Sequence, residues 1–192
     1  MSSSEHEIIE QILSGNRLLY SQLVEEYKNR SMTLAMRILK NREEAEEAVQ
    51  DAFVRAYNAL SKFERRSKFS TWLYRIIYNV CLSKLNKRQG EQLFVREQEY
   101  DDAFDELSLS SVPSLDYETK ELITIIQSSI DELPPKYGTI LSLFYFQELS
   151  YEEISEVTRL PLGTVKTHLF RARARLIQRL TQEYAVETIE SL

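Results

Sequence analysis

Apolar residues recur three or four positions apart along most of this chain. Leu19, Leu23, Tyr27, Leu34 and Ile38 set a helical period over about residues 16–40. Ala45, Val49, Ala52, Ala56 and Leu60 set another within "EEAEEAVQDAFVRAYNAL", after a weak break at "KNRE". Ahead of them, Ser4-x-x-Glu7 predicts a capping box on a short helix that Gly15 ends. Ser70 is expected to cap a fourth helix, "STWLYRIIYNVCLSKLNKR", with Trp72, Ile76 and Val80 as its core-facing row. Further on, "ETKELITIIQSSIDEL" and "PKYGTILSLFYFQEL" read as two helices parted by Pro134-Pro135. Ser150-x-x-Glu153 is a second capping box, opening a helix through Ile154 and Val157. Pro161 disfavours a helical residue before it, so a new helix is expected near Thr164. There is no hairpin signal and no internal repeat. The pattern predicts an all-α protein.

One stretch lacks any clean period: "EQLFVREQEYDDAFDELSLSSVPSLDYETK". It is acidic, with 2 Lys/Arg against 9 Asp/Glu over residues 91–120. Two small helical domains, 1–90 and 118–192, joined by an acidic linker at 91–117, are therefore expected. Only four Gly and four Pro, with 43% hydrophobic residues, suit a helix-rich globular chain rather than a disordered one. No apolar run approaches the roughly 18 residues that span a bilayer, so no membrane insertion is expected. The start, "MSSSEHEIIEQ", has acids where a secretory signal needs a basic residue and an apolar core. A cytoplasmic protein is expected. Cys81 stands alone within an apolar helix and reads as a small packed hydrophobe. His6 and His168 are far apart and lack neighbouring ligands, which argues against a metal. Paired carboxylates, a phosphate loop and a nucleophile triad are also missing, so neither a catalytic site nor a cofactor is expected.

Charge changes the picture most near the end. The formal net charge is −6, yet Val157 to Gln182 contains no acid and six bases: Arg159, Lys166, Arg171, Arg173, Arg175 and Arg179. At 100° per residue, Val165, Leu169, Ala172, Leu176 and Leu180 gather on one side of this helix as its buried face. Thr167, Phe170, Arg171, Ala174 and Gln178 lie opposite. Lys166 and Arg173 flank one edge; His168, Arg175 and Arg179 flank the other. Two short helices joined by a tight turn form a DNA-reading motif when the second lies in the major groove. A small outer face bordered by cations suits a groove with phosphate walls.

A second basic segment precedes the linker. Lys62 to Arg88 holds eight bases and one acid, Glu64. Phe63, Phe69, Tyr74 and Tyr78 interleave there with Arg65, Arg66, Lys68 and Arg75. Aromatics offer stacking platforms to unpaired bases while cations track the backbone. Taken alone, the segment fits a packed core with a charged rim equally well.

In this order and around an acidic linker, the two segments resemble an extracytoplasmic-function (ECF) sigma factor of the sigma-70 family. "FSTWLYRI" and "PLGTVKTHLFRAR" carry the likeness, which spans nearly the whole chain. It implies a region 2-like bundle for polymerase binding, −10 recognition and promoter melting, and a region 4-like helix-turn-helix for −35 recognition. "EEAVQDAFVRAYNALSKF" then matches the helix docking on the polymerase clamp, implicating Glu47, Gln50, Asp51, Phe53 and Val54. Readout of −35 falls to Lys166, Thr167, Phe170 and Arg171, flanked by Arg173 and Arg175. The −10 and melting set is Phe63, Arg65, Arg66, Lys68, Phe69, Tyr74, Arg75 and Asn79. The family often has Ala just before that Asn, Asp four positions after it and Arg three beyond; here Tyr78, Ser83 and Asn86 stand instead. The implied partners are core RNA polymerase through clamp and flap, promoter DNA and an anti-sigma factor. The implied place is the cytoplasm, on the nucleoid when in holoenzyme. The residues alone also admit an autonomous helix-turn-helix regulator or a helical interaction scaffold.

Overall fold

A computed structural model describes the backbone of residues 3–89 and 119–190, and within them the side chains of residues 5–88 and 124–182. Helix α1 (Ser3–Leu13) is followed by a 3₁₀ turn at Arg17–Leu19, α2 (Tyr20–Leu39), α3 (Arg42–Ala59), a 3₁₀ turn at Leu60–Lys62 and α4 (Phe69–Gln89). Beyond the undescribed stretch come α5 (Thr119–Asp131), α6 (Pro135–Leu141), a π-helical turn at Ser142–Phe146, α7 (Tyr151–Thr158) and α8 (Leu162–Glu190). No strand occurs among the described residues. The protein is all-α, with a helical domain on either side of the acidic segment; that linker lies outside the described residues.

The weak break at "KNRE" is a defined corner. Lys40 closes α2 in the left-handed conformation (φ 54°), its N–H donating to the Met36 carbonyl at 2.8 Å. Asn41 then caps α3, its Oδ1 accepting from the Glu44 N–H at 2.9 Å. Arg65, Glu148 and Arg159 also take positive φ (57°, 56° and 61°), all at bends between elements. Two expected starts move. Helix α1 begins at Ser3, ahead of the expected Ser4 cap, whose side chain lies outside the description. Helix α4 begins at Phe69, with the Trp72 N–H already bonded to the Lys68 carbonyl, so Ser70 sits inside the first turn rather than capping it. The second capping box forms as expected: Ser150 Oγ accepts from the Glu153 N–H, and the Glu153 carboxylate accepts from the Ser150 N–H.

Helices α2, α3 and α4 bury a common core, with Leu23, Leu34, Ala45, Ala52, Leu73 and Ile77 fully enclosed. An aromatic cluster closes one end, where Phe63, Phe69 and Trp72 lie 5.2–5.8 Å apart between ring centroids. Tyr27 joins it edge-on to Phe69 and donates its hydroxyl to Glu5 at 2.5 Å. The C-terminal helices build a smaller core from Ile130, Leu133, Tyr137, Ile140, Leu169 and Ala172. Helix α6 approaches α5 closely at Gly138, where an added Cβ would lie 3.1 Å from the Ile130 carbonyl oxygen.

The two halves also share packing. Leu143, Leu149, Ile154, Val157 and Val165 belong to the same buried cluster as α2–α4. Arg37 of α2, 2% exposed, spans the junction. Its Nη1 donates to Ser142 Oγ at 2.7 Å, its Nε to Asp131 at 3.1 Å, and its guanidinium lies 4.3 Å from the centre of the Phe146 ring.

Candidate nucleic-acid and polymerase interface

Helix α7 ends at Arg159, and three residues later α8 begins at Leu162. The Thr158 hydroxyl bonds back to the Ile154 carbonyl, and Ser155 Oγ donates to the Leu160 carbonyl, tying the turn to α7. Val165, Leu169 and Ala172 are buried, as the helical wheel requires, whereas Leu176 and Leu180 are only half-buried. The opposite face of the first three turns is open. Lys166 and Thr167 are exposed, and Phe170 is 61% exposed, a large apolar side chain left in solvent at the centre of a basic face. Arg171 beside it is half-buried.

The flanking arginines are occupied within the domain. Arg173 lies over the Phe144 and Tyr145 rings, 5.2 and 5.4 Å from their centroids, and Arg175 over Tyr137 at 5.0 Å. Arg179 pairs with Glu132 of α5. His168 meets the Tyr137 ring edge-on, and burial, with Lys136 and Arg171 nearby, holds its imidazole below the usual pKa. The lower part of α8 is therefore braced to the domain by its cations, while Lys166, Thr167 and Phe170 of the upper part are exposed.

In the segment before the linker, the structure corrects the expectation of an exposed stacking wall. Phe63 is 8% exposed, and Phe69 and Tyr74 are fully buried. Each ring gains more by enclosure among its neighbours than by waiting for a base, since an aromatic side chain buries 150–250 Å². The cations remain at the surface. Arg66 is 86% exposed and pairs with Glu64, while Arg65 pairs with Glu10. Lys68 lies 3.1 Å from Glu153 and Arg75 3.1 Å from Glu156, both acids belonging to α7. Asn79 is half-buried on α4, its carbonyl accepting from Ser83 Oγ at 2.8 Å. Tyr78, beside it, is half-buried, and burial pushes its hydroxyl up to about 12.

A third surface lies between α2 and α3, where an open groove of about 750 Å³ runs over Tyr20, Val24, Val49, Phe53 and Tyr57. Val54 (59% exposed) and Leu18 (85%) stand on its rim beside Gln50. Phe53 forms part of the floor; its carbonyl accepts from the Tyr20 hydroxyl at 2.7 Å. Glu47 and Asp51 are engaged on the outside of α3, with Lys84 at 2.6 Å and Arg55 at 2.8 Å. The α2 wall of this groove went unread in the sequence. Its signal was Leu18, which falls outside the apolar row of Leu19, Leu23 and Tyr27.

A helical bundle with an apolar groove is tied to a helix-turn-helix that leaves Lys166, Thr167 and Phe170 exposed. Residues 23–91 match Sigma-70 region 2, and residues 123–176 match Sigma-70 region 4. The chain is 35% identical over 176 residues to the ECF RNA polymerase sigma factor SigW of Bacillus subtilis, covering 90% of this chain and 94% of that one. It is 31% identical over 173 residues to the RNA polymerase sigma-H factor of Pseudomonas aeruginosa, covering 88% and 90%. Among solved structures, the fold resembles the sigma factor RpoE bound to the anti-sigma factor NepR from Bartonella quintana, with TM-score 0.61, 24% identity and coverage of 84% of this chain and 96% of that one. It also resembles CnrH in complex with the cytosolic domain of CnrY, with TM-score 0.61, 22% identity and coverage of 91% and 96%. The chain belongs to the ECF group of the sigma-70 family. It is a transcription initiation factor rather than an enzyme, and acts with core RNA polymerase and promoter DNA.

Proposed function

We propose that the three surfaces divide the work of promoter-specific initiation. The α2–α3 groove, with Gln50, Phe53 and Val54 on one side and Leu18 and Val24 on the other, docks on the clamp of core polymerase; Glu47 and Asp51 face a basic surface beside it. The outer face of α8 enters the major groove at −35 through Lys166, Thr167, Phe170 and Arg171. The cations Arg65, Arg66, Lys68 and Arg75, with Asn79, engage the −10 strand as it opens. Residues 1–90 thus form the −10 and core-binding unit and 118–192 the −35 unit, which also meets the polymerase flap. An anti-sigma factor binds this chain, as NepR binds the sigma factor RpoE of Bartonella quintana. The site of action is the cytoplasm, on the nucleoid.

The observation that carries this reading is Phe170. A core-sized ring, 61% exposed and framed by Lys166 and Thr167, lies outside both buried clusters and suits apolar contact with a thymine methyl. The net charge of −6 supports dependence on the polymerase, because DNA binding by a free protein draws heavily on neutralising phosphates. Run-off transcription with purified core polymerase on a promoter panel tests the reading. Val54→Glu should abolish polymerase-dependent transcripts while leaving helicity and the unfolding midpoint unchanged. Specific transcription by Val54→Glu at the native level would remove the groove from the account. Tight operator footprinting by the protein alone would favour an autonomous regulator.

A further inference from the structure

The loop at residues 63–68 carries Arg65, Arg66 and Lys68 of the proposed strand-binding set. It contains no glycine, yet its backbone turns left-handed at Arg65 (φ 57°). Such a conformation is costly for an arginine and persists where the surroundings fix it. Here the support comes from far along the chain: Arg65 Nη1 donates to Glu10 Oε1 of α1 at 2.9 Å, across 55 positions. Helix α1 is a firm base for that contact. Ile9 and Ile12 are buried in the core of α2–α4. Glu5 accepts the Tyr27 hydroxyl at 2.5 Å, and Tyr27 lies edge-on to Phe69 at the start of α4. Helix α1 also packs on the Leu60–Lys62 turn, from which the loop departs. From inside, the Phe63 ring holds the loop 5.8 Å from Phe69 and 5.2 Å from Trp72. Arg66, by contrast, is 86% exposed and pairs within the loop, with Glu64.

We infer that Glu10 is a positioning residue for −10 recognition, fixing from α1 the direction in which Arg65 meets the opened strand. A guanidinium presents five N–H donors in a rigid fork, so engaging Nη1 sets the plane in which the remaining donors point. Glu10 touches no nucleic acid itself. Its carboxylate both directs the Arg65 charge and offsets it, which lowers affinity for strands in general while sharpening the choice among them. With Glu10 61% and Arg65 39% exposed, the pair adds little to stability. Its use is therefore orientation. This rests on the reading of Arg65 as a strand-binding residue, and the test below separates the two ideas.

Holoenzymes with the native chain, Glu10→Ala, Glu10→Gln, Arg65→Ala and the double variant Glu10→Ala/Arg65→Ala are compared in run-off transcription. The templates are an active promoter from the panel and the same promoter with each −10 base substituted in turn. Glu10→Ala should lower the ratio of transcript from native and substituted templates about two- to fivefold, the reach of an exposed ion pair. The same variant, as the full-length protein alone, should bind a fluorescein-labelled oligothymidylate more tightly, and its unfolding midpoint should match that of the native chain. Glu10→Gln keeps an oxygen acceptor for Arg65 and should retain most of the discrimination. In the Arg65→Ala background, Glu10→Ala should change the ratio no further, because the two residues act as one unit. Native discrimination by Glu10→Ala, a Glu10→Gln ratio as low as that of Glu10→Ala, or an equal Glu10→Ala effect with and without Arg65 overturns the inference. A lowered midpoint with weaker strand binding overturns it too, by making Glu10 a structural support. In each case the strand-binding reading stands as long as Arg65→Ala loses −10 preference. Native −10 preference in Arg65→Ala overturns that reading, and the inference with it.

Discussion

Replacing Arg37 by alanine removes the one fully buried cation that, among the described residues, crosses between the halves. Its guanidinium makes two charge-assisted hydrogen bonds, to Ser142 at 2.7 Å and Asp131 at 3.1 Å, and sits over Phe146. Hydrogen bonds to charged groups contribute about 1.5–3 kcal/mol each. The Asp131 bond belongs at or below the low end, because that carboxylate is 58% exposed and water replaces the lost partner. The Ser142 hydroxyl is fully buried, so orphaning it costs about 1–3 kcal/mol. Against these losses stands relief from burying a charge, the main reason the Arg37 pKa is held below its ordinary value. The net expectation for Arg37→Ala is a loss of about 2–4 kcal/mol in urea unfolding, seen as a lower midpoint. Arg37→Met fills the same space without the charge but still leaves Ser142 alone, so it should recover only part of the loss. Combining Arg37→Met with Ser142→Ala removes both polar partners and should bring stability to within about 1 kcal/mol of the native chain. If the double variant is as unstable as Arg37→Ala, the energy lies in the shape of the arginine and not in its hydrogen bonds. A change below about 0.5 kcal/mol for Arg37→Ala would refute the whole estimate.

Two further outcomes follow from the helix-turn-helix. Ser150→Ala should lose about 1 kcal/mol by removing the cap of α7, whereas Ser150→Thr should keep most of it; equal losses in thermal unfolding would show that the capping box contributes nothing. His168 is held below its usual pKa by burial, Lys136 and Arg171, so the unfolded chain binds its proton first as pH falls. Its contribution to stability is therefore full above the unfolded value of about 6.5 and is lost as pH drops through the depressed folded value. Urea midpoints at pH 7.5 and 5.5 should fall less for His168→Gln than for the native chain, and identical slopes would refute this.

Local signals proved the most readable part of the sequence. The Ser150–Glu153 box, the Pro161 break and the Val165–Leu169–Ala172 stripe depend on residues within a few positions of one another, and the structure shows all three. The same wheel overstated Leu176 and Leu180, because a regular period continues past the point where neighbouring helices supply a core. Phe63, Phe69 and Tyr74 misled for a different reason. Aromatics among cations have the same pattern whether they await bases or line the inside of a loop, and only the partners, Tyr27 and Trp72, decide between them. Contacts between residues about 80 to 105 positions apart, such as Arg75–Glu156 and Arg37–Ser142, left no trace in any local period. Nor does a single buried arginine differ in sequence from an exposed one.

The corners at Lys40, Arg65, Glu148 and Arg159 bear on how this protein could be engineered. Each holds a left-handed backbone with a charged residue where glycine would sit without strain, while the chain contains only four glycines in 192 residues. A side chain in that conformation costs roughly 1–2 kcal/mol. Arg65 lies in the proposed strand-binding set and Arg159 borders the proposed reading helix, so the proposed function uses their charges. Lys40 serves too, donating to the Asp131 carbonyl beside Arg37. Glu148, exposed at the bend just before the Ser150 cap, has no hydrogen bond or ion pair among the described contacts. A glycine there is the change most suited to raising thermal tolerance while leaving every proposed contact face as it is, which makes that bend the natural starting point for a hardier transcription factor.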